Sequence, residues 1–323
     1  MSGSALTKIT KTTGGGKSFP RTVIRVLNRD KYMLLMIAPA VIYYILFHYV
    51  PMYGNLLAFT DYRPGTPIFY NIVNHWVGFK WFIEFFESVF FVRLLLNTVI
   101  LSVLTIVFSF PAPIIFALLL NEVRHKAFKK TVQTVSYMPF FISAVVVVGI
   151  LFNFVSVTDG LINNLRAGMG LERIDFMNDP AMFRPLFVGT TVWQTFGWNS
   201  IIYLAALSAI DPQLYEAAQV DGANRIQRLL YITVPSLLPI IVMLLILTLG
   251  RVMNADFQMV LLMQNPATYS TSDIIGTYVY RRGILGGQFS FAAAVGVFNS
   301  LINLSMLIAA NSIAKKLSGN SLW

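Results

Sequence analysis

The chain contains no cysteine, which removes disulfides, thiolate metal sites and thiol nucleophiles together. Histidine is scarce as well: His48, His75 and His125 are scattered, with no spacing that suggests a metal-ligand set. Charge is the third shortage. Only 12% of the 323 residues are Asp, Glu, Lys or Arg, while 56% are hydrophobic; an ordinary soluble domain carries about 25% charged residues. Such a chain cannot cover a globular surface in water, so its solvent is partly lipid. Catalytic material is missing too. No Ser/His/Asp set, metal cluster or pair of intramembrane carboxylates is present, which argues against an enzyme. Gly14-Gly15-Gly16-Lys17-Ser18 invites comparison with a phosphate loop, but the position that must hold its first glycine is Lys11, and no apolar strand precedes it. No cofactor is expected on this chain.

What the chain has instead is long apolar runs. Six are long enough to cross a hydrocarbon core, which takes roughly 20 helical residues: 33–51, 92–120, 132–155, 186–210, 237–263 and 289–310. They lack the alternation of an outer-membrane barrel, so the fold class predicted is all-α, an integral membrane protein of about six helices. The second run exceeds one span, and Pro111 and Pro113 predict a kink or an extension beyond the membrane. The first run reads as a retained span rather than a signal peptide. Only six apolar residues precede the small-residue stretch Ala38-Pro39-Ala40, short of the roughly 7–15 that such a leader needs.

The net charge of +10 could point to nucleic acid, but its placement does not. Seven of the 24 basic residues lie in positions 1–31, and four crowd into Arg124–Lys130, flanking apolar spans. With the N-terminus inside, segments 1–31, 121–131, 211–236 and 315–323 hold 15 basic residues, against 7 in segments 52–91, 156–185 and 264–288. Both termini are therefore expected in the cytoplasm. Residues 1–31 read as a disordered basic tail, 32–314 as the transmembrane domain and 315–323 as a cytoplasmic C-terminus. The stretch 156–185, rich in Asn, Asp and Gly, reads as an external loop holding at most a short helix.

The most informative segment joins the fourth and fifth spans. Asp211 suits an N-cap and Pro212 the first helical position; Leu214, Ala217 and Ala218 share a face, and Gly222 supplies a left-handed stop. A bounded cytoplasmic helix results, followed by an amphipathic turn from Arg225 to Ile232, with Pro235 and Pro239 marking the start of the fifth span. Its alanines allow another surface to approach, and Glu216 offers that surface a charge. The residues alone leave open whether this helix docks on a partner or only joins two spans.

Glu216-Ala217-Ala218, Asp221-Gly222-Ala223, Ile232 and Pro235 resemble the EAA loop of binding-protein-dependent ABC importer permeases, in the version typical of the carbohydrate, maltose-type branch. Val234 stands where the pattern usually has leucine, a conservative departure. Arg93-Leu-Leu-Leu-Asn-Thr, Phe110-Pro-Ala-Pro, Leu118-Leu-Leu-Asn-Glu-Val-Arg and Thr131-Val-Gln-Thr-Val-Ser-Tyr-Met-Pro resemble its polysaccharide-type subgroup, to which alginate importer subunits are similar. The resemblance implies a type I permease fold in a bacterial inner membrane, with Glu216, Ala217, Ala218, Asp221, Gly222 and Ala223 forming a coupling helix. It implies three protein partners: a second homologous permease, an ATPase dimer that carries the ATP and magnesium, and an extracytoplasmic binding protein that delivers the carbohydrate.

Polar and aromatic residues inside the spans are candidates for the substrate path, because facing them to lipid is costly. They are Asn97, Asn153, Trp193, Gln194, Trp198, Asn199, Asn254, Asp256, Gln258 and Asn299. Asn303, Phe196 and Tyr203 extend this set, and helix-to-helix bonding is the alternative role for each. Aromatics suit sugars by stacking on the apolar face of a pyranose, yet they also gather at membrane interfaces. Asp256 reads as an acid inside an apolar run near Arg251, either an internal pair or the ion-coupling group of a secondary carrier. The helix 211–222 argues against a carrier, which has no need of a docking helix. Arg281-Arg282 offers positive charge in the last external loop.

Overall fold

The computed structural model describes residues 31–318 and Leu322, so the predicted N-terminal tail lies outside the described residues. The chain forms two units divided after Gly54. The first holds α1 (Lys31–Tyr44), whose helical path continues through a π turn at Ile45–Tyr49. The second unit contains everything else.

In the second unit, α2 (Phe91–Ser109) and α3 (Pro111–Asn121) form the second apolar run, interrupted at Phe110 just where Pro111 and Pro113 remove backbone donors. There follow α4 (Lys126–Tyr137), α5 (Ala144–Val155), the short α6 (Leu161–Gly168) and the long α7 (Pro180–Ser208). Then come α8 (Pro212–Val220), α9 (Arg225–Leu249), α10 (Phe257–Met263) and α11 (Phe289–Ser318). Among the described residues, four helices are long and apolar enough to cross a membrane, and α4 with α5 makes a fifth if the bent pair counts as one span. The 29 residues of α7 give a length of roughly 43 Å at 1.5 Å per residue, ample for a sixth, although Thr190, Thr191, Gln194, Thr195 and Asn199 dilute its apolar character.

Three boundaries differ from the sequence expectation, each for a local reason. The third run, 132–155, is two helices meeting at 102° rather than one rod. Pro139 cannot donate within a helix, the chain leaves helical geometry at Ile142, and Ser143 caps the new helix by accepting from the Val146 N–H at 3.4 Å. The fifth run, 237–263, begins earlier and ends earlier: α9 is continuous from Arg225, with a π turn at Leu229–Thr233, and stops at Leu249. A short bend of residues 250–256 then leads into α10. In the stretch 156–185, α7 starts at Pro180, where Asp179 accepts from the Ala181 N–H at 2.8 Å.

Helices in lipid gain little by hiding apolar surface from each other, so close approach and polar bonds must hold them. Gly197 of α7 supplies the closest crossing. A Cβ there would fall inside the backbone carbonyl of Ser136 on α4, so only glycine fits. Buried side chains fill the remaining space in three clusters. Leu101, Val147, Phe187, Met259 and Met263 form one; Phe85, Leu94, Ile275 and Phe291 a second; Ala117, Tyr203, Leu207 and Leu237 a third, where α3, α7 and α9 meet.

Candidate functional site

Two features stand out: a rigidly capped surface helix at one end of α7, and a polar groove along its flank. The helix is α8. Asp211 caps it by accepting from the Gln213 N–H at 2.9 Å, and Pro212 occupies the first position. At the far end Gly222 has φ +79°, the left-handed region. The Ala223 N–H donates to Ala218 O at 2.9 Å and the Gly222 N–H to Gln219 O at 3.2 Å, the paired closure of a Schellman motif. Asn224 and Gln227 then form a reciprocal capping box at 2.8 and 2.9 Å that opens α9. The elbow 221–224 is thereby fixed on both sides, and α8 cannot swing without moving α9.

Only one edge of α8 faces its own chain. Tyr215 and Ala218 are half-buried, and the Tyr215 hydroxyl meets Thr233 Oγ1 at 3.0 Å. The opposite face presents Gln213, Glu216, Ala217 and Val220 outward. Val220 is 88% exposed, and beyond the elbow Ile226 is 68% and Tyr231 79% exposed. These apolar side chains beside a charge form a patch that the rest of the described chain leaves uncovered.

The groove consists of two cavities, about 220 and 480 Å³, that share Thr105, Ile106, Leu244 and Thr248. It runs between α2, α7 and α9. Asn199 and Tyr203 line one end; Arg251, Asn254 and Asp256 line the other. Ser102, Thr105, Ser109 and Thr248 add hydroxyls along the way. Of the path residues expected from sequence, the structure brings Asn199, Asn254 and Asp256 to this groove.

The others lie elsewhere. Asn97 is buried with its amide fully used: Nδ2 donates to the carbonyls of Ser270 and Asp273, both at 3.1 Å, and Oδ1 accepts from Arg184 at 2.9 Å. Gln194 and Trp198 serve the break in the third span, where Gln194 Nε2 donates to Ile142 O at 3.0 Å and Trp198 stacks on Phe140 at 4.7 Å. Trp193 lines a separate, largely apolar cavity of about 890 Å³, and Phe196 packs edge-on against Phe116. Asn153 and Gln258 are exposed, Asn303 accepts from the Met253 N–H at 3.0 Å, and Asn299 is half-buried with its Oδ1 unpaired. Asp256 does not sit inside a span. It is exposed in the bend and caps α10, accepting from the Met259 N–H at 3.1 Å, and it makes no ion pair with Arg251.

A third feature escaped the sequence reading. Asp273 is a fully buried carboxylate, bonded to Arg281 at 2.7 Å and Thr277 Oγ1 at 2.9 Å, with Arg93 at 3.8 Å. Burial pulls the Arg281 pKa down, but the hydrogen bond and charge of Asp273, with help from Tyr269, outweigh it, so the pKa is raised. The available signal was an acid between Ser272 and Ile274-Ile275 followed eight residues later by arginine.

The groove's alcohols and amides predict a measurable effect. Asn199→Ala and Asn254→Ala are each expected to raise the KM of uptake about fivefold, the cost of one lost hydrogen bond. Trp198→Ala should act on stability through lost stacking on Phe140 and leave the KM near normal. The check is initial uptake rates in proteoliposomes alongside thermal unfolding in detergent.

Helices long and apolar enough to cross a membrane, a capped surface helix and a groove that holds hydroxyls and amides are parts suited to a transport subunit. Comparison with known proteins identifies which kind. The family model "Binding-protein-dependent transport system inner membrane component" matches residues 109–319, and the chain belongs to that family. Among relatives, the polygalacturonan/rhamnogalacturonan transport system permease protein YteP of Bacillus subtilis (strain 168) is 44% identical over 94% of this chain and 93% of its own length. Protein LplB of the same organism is 42% identical over 97% of this chain and 96% of its own. A solved bacterial ABC transporter involved in the import of the acidic polysaccharide alginate matches with TM-score 0.84 and 38% identity, over 92% of this chain and 99% of that one. A second such structure holds an alginate pentasaccharide-bound periplasmic protein. The chain is a permease subunit of an ABC importer.

Proposed function

We propose that this permease forms half of the path for oligosaccharides of an acidic polysaccharide, with uronate units as the characteristic cargo. The groove carries the reading: alcohols and amides that suit sugar hydroxyls run its length, and Arg251 at one end suits a carboxylate. YteP is named for polygalacturonan/rhamnogalacturonan transport, and the solved transporter imports the acidic polysaccharide alginate. A second homologous permease completes the pathway, an extracytoplasmic binding protein delivers cargo, and a separate ATPase dimer holds ATP and magnesium. Through α8, with Glu216, Ala217, Ala218, Asp221, Gly222 and Ala223, the ATPase stroke reaches α9 and so the groove wall. Both termini lie in the cytoplasm in this arrangement. The test is uptake of trigalacturonate by the reconstituted complex. Accumulation should require ATP inside and loaded binding protein outside; ATP-independent uptake driven by an ion gradient would overturn the reading.

A further inference from the structure

We propose a second anion site, separate from the groove, in which Arg93, Arg184 and Arg281 receive a carboxylate of the cargo before it reaches the groove. This rests on the uronate reading above. Three chain segments converge here: the start of α2 (Arg93, Asn97), the start of α7 (Arg184) and the loop that bears Asp273 and Arg281. Asn97 ties them together, since it accepts from Arg184 and donates to the backbone of Asp273.

The charge count is unbalanced. Two guanidinium groups, Arg281 and Arg93, pair with one carboxylate, Asp273, whose best bond is spent on Arg281, and a third, Arg184, bonds only the Asn97 amide oxygen. Arg93 reaches it only at 3.8 Å, and the Nε atoms of Arg93 and Arg184 are buried without a hydrogen-bond partner. A buried unpaired donor on a charged group is costly, so both arginines would gain from a further acceptor. The cluster is reachable through Arg93 and Arg281, whose side chains are 39% and 37% exposed, while Arg184 borders the separate cavity of about 890 Å³. Aromatic faces frame it, with Arg281 over Tyr269 at 4.7 Å and Arg93 over Phe90 at 5.1 Å. Guanidinium forks beside rings fit a uronate, whose carboxylate takes bidentate bonds while its ring stacks.

Position supports the role. Arg184 stands near the start of α7, roughly 36 Å along the helix from the end that leads into α8. The cluster therefore lies at the opposite end of the molecule from the coupling helix, where cargo arrives. Along α2, Arg93 and Asn97 precede Ser102 and Thr105 of the groove by about two turns.

The test measures binding of trigalacturonate, and of its methyl ester, to the whole complex in lipid nanodiscs without binding protein. Trigalacturonate should bind wild type, and Arg93→Gln and Arg184→Gln should each weaken it about tenfold, the size of one lost charge-assisted bond. Arg93→Lys, which keeps the charge, should recover part of the loss, and the ester should bind all forms weakly and alike. Equal affinity in wild type and variants would overturn the site, as would equal losses for acid and ester. No binding to a wild-type complex that still imports trigalacturonate would overturn the site alone. Failure of wild-type uptake as well would overturn the uronate reading with it.

Discussion

Glu216→Lys and Gly222→Val are each expected to abolish substrate-stimulated ATP hydrolysis and uptake in a complex that still inserts and assembles. The two act through different physics. Glu216 is exposed on the outward face of α8, so its replacement costs the free permease little. In the proposed docking on the ATPase it would be partly desolvated against a basic residue, and losing one partner of a buried pair costs on the order of 3–5 kcal/mol. Reversal adds repulsion; Glu216→Ala should be milder. Gly222 has open space around the position of a β-carbon, so no clash penalises substitution. The penalty is conformational: φ +79° costs an L-residue roughly 1–2 kcal/mol, more when β-branched. Escape from that strain breaks the Ala223-to-Ala218 closure and re-aims α9, which forms the groove wall. ATPase activity of the reconstituted complex, with and without loaded binding protein, is the measurement. Full stimulation in both variants would mean that α8 does not transmit the stroke.

What the sequence made legible was local. Asp211, Pro212 and Gly222 each act within a few residues, and each sits in the structure as its chemistry dictates, so the bounds of α8 were readable in advance. Hydropathy, by contrast, cannot see a helix turn a corner. Phe140-Phe141-Ile142 stays apolar through the 102° break of the third span, and Met253 and Phe257–Met263 stay apolar beyond the true end of α9. The misplaced break also explains why Asp256, read as lying within one continuous apolar run, stands instead in the bend and caps α10. Trp198 and Gln194 were misjudged for the same reason, since the bend that they brace was not anticipated. Asn199, one residue on, reaches the groove because 100° of helical rotation turns it away from that bend. The arginine cluster was invisible for a different reason. Its members are separated by roughly a hundred residues each, and only the packing of α2 against α7 and the loop brings them together.

Asp273→Ala is expected to destabilise the second unit markedly, and its rescue separates charge from shape. The carboxylate is fully buried and takes bonds from Arg281 and Thr277. Removing it strands Arg281 and Arg93 beside each other with no counter-charge, and breaking a buried pair in this way costs about 3–5 kcal/mol. Because both guanidinium groups are more than a third exposed, water recovers part of that, and about 2–3 kcal/mol is the expected loss. Asp273→Asn keeps the shape and one acceptor oxygen, so it should lose less. Deleting both partners is far less harmful than deleting one, because no buried charge is then left unpaired. The double variant Asp273→Ala/Arg281→Met should therefore unfold closer to wild type than Asp273→Ala alone, while binding trigalacturonate about tenfold more weakly, as expected for one lost arginine. Thermal unfolding of the detergent-solubilised complex tests the first half of that statement and nanodisc binding the second. If the double variant is as unstable as the single one, Asp273 holds the loop through its backbone and Thr277 rather than through charge, and Arg281 is free of the structural duty assigned to it here.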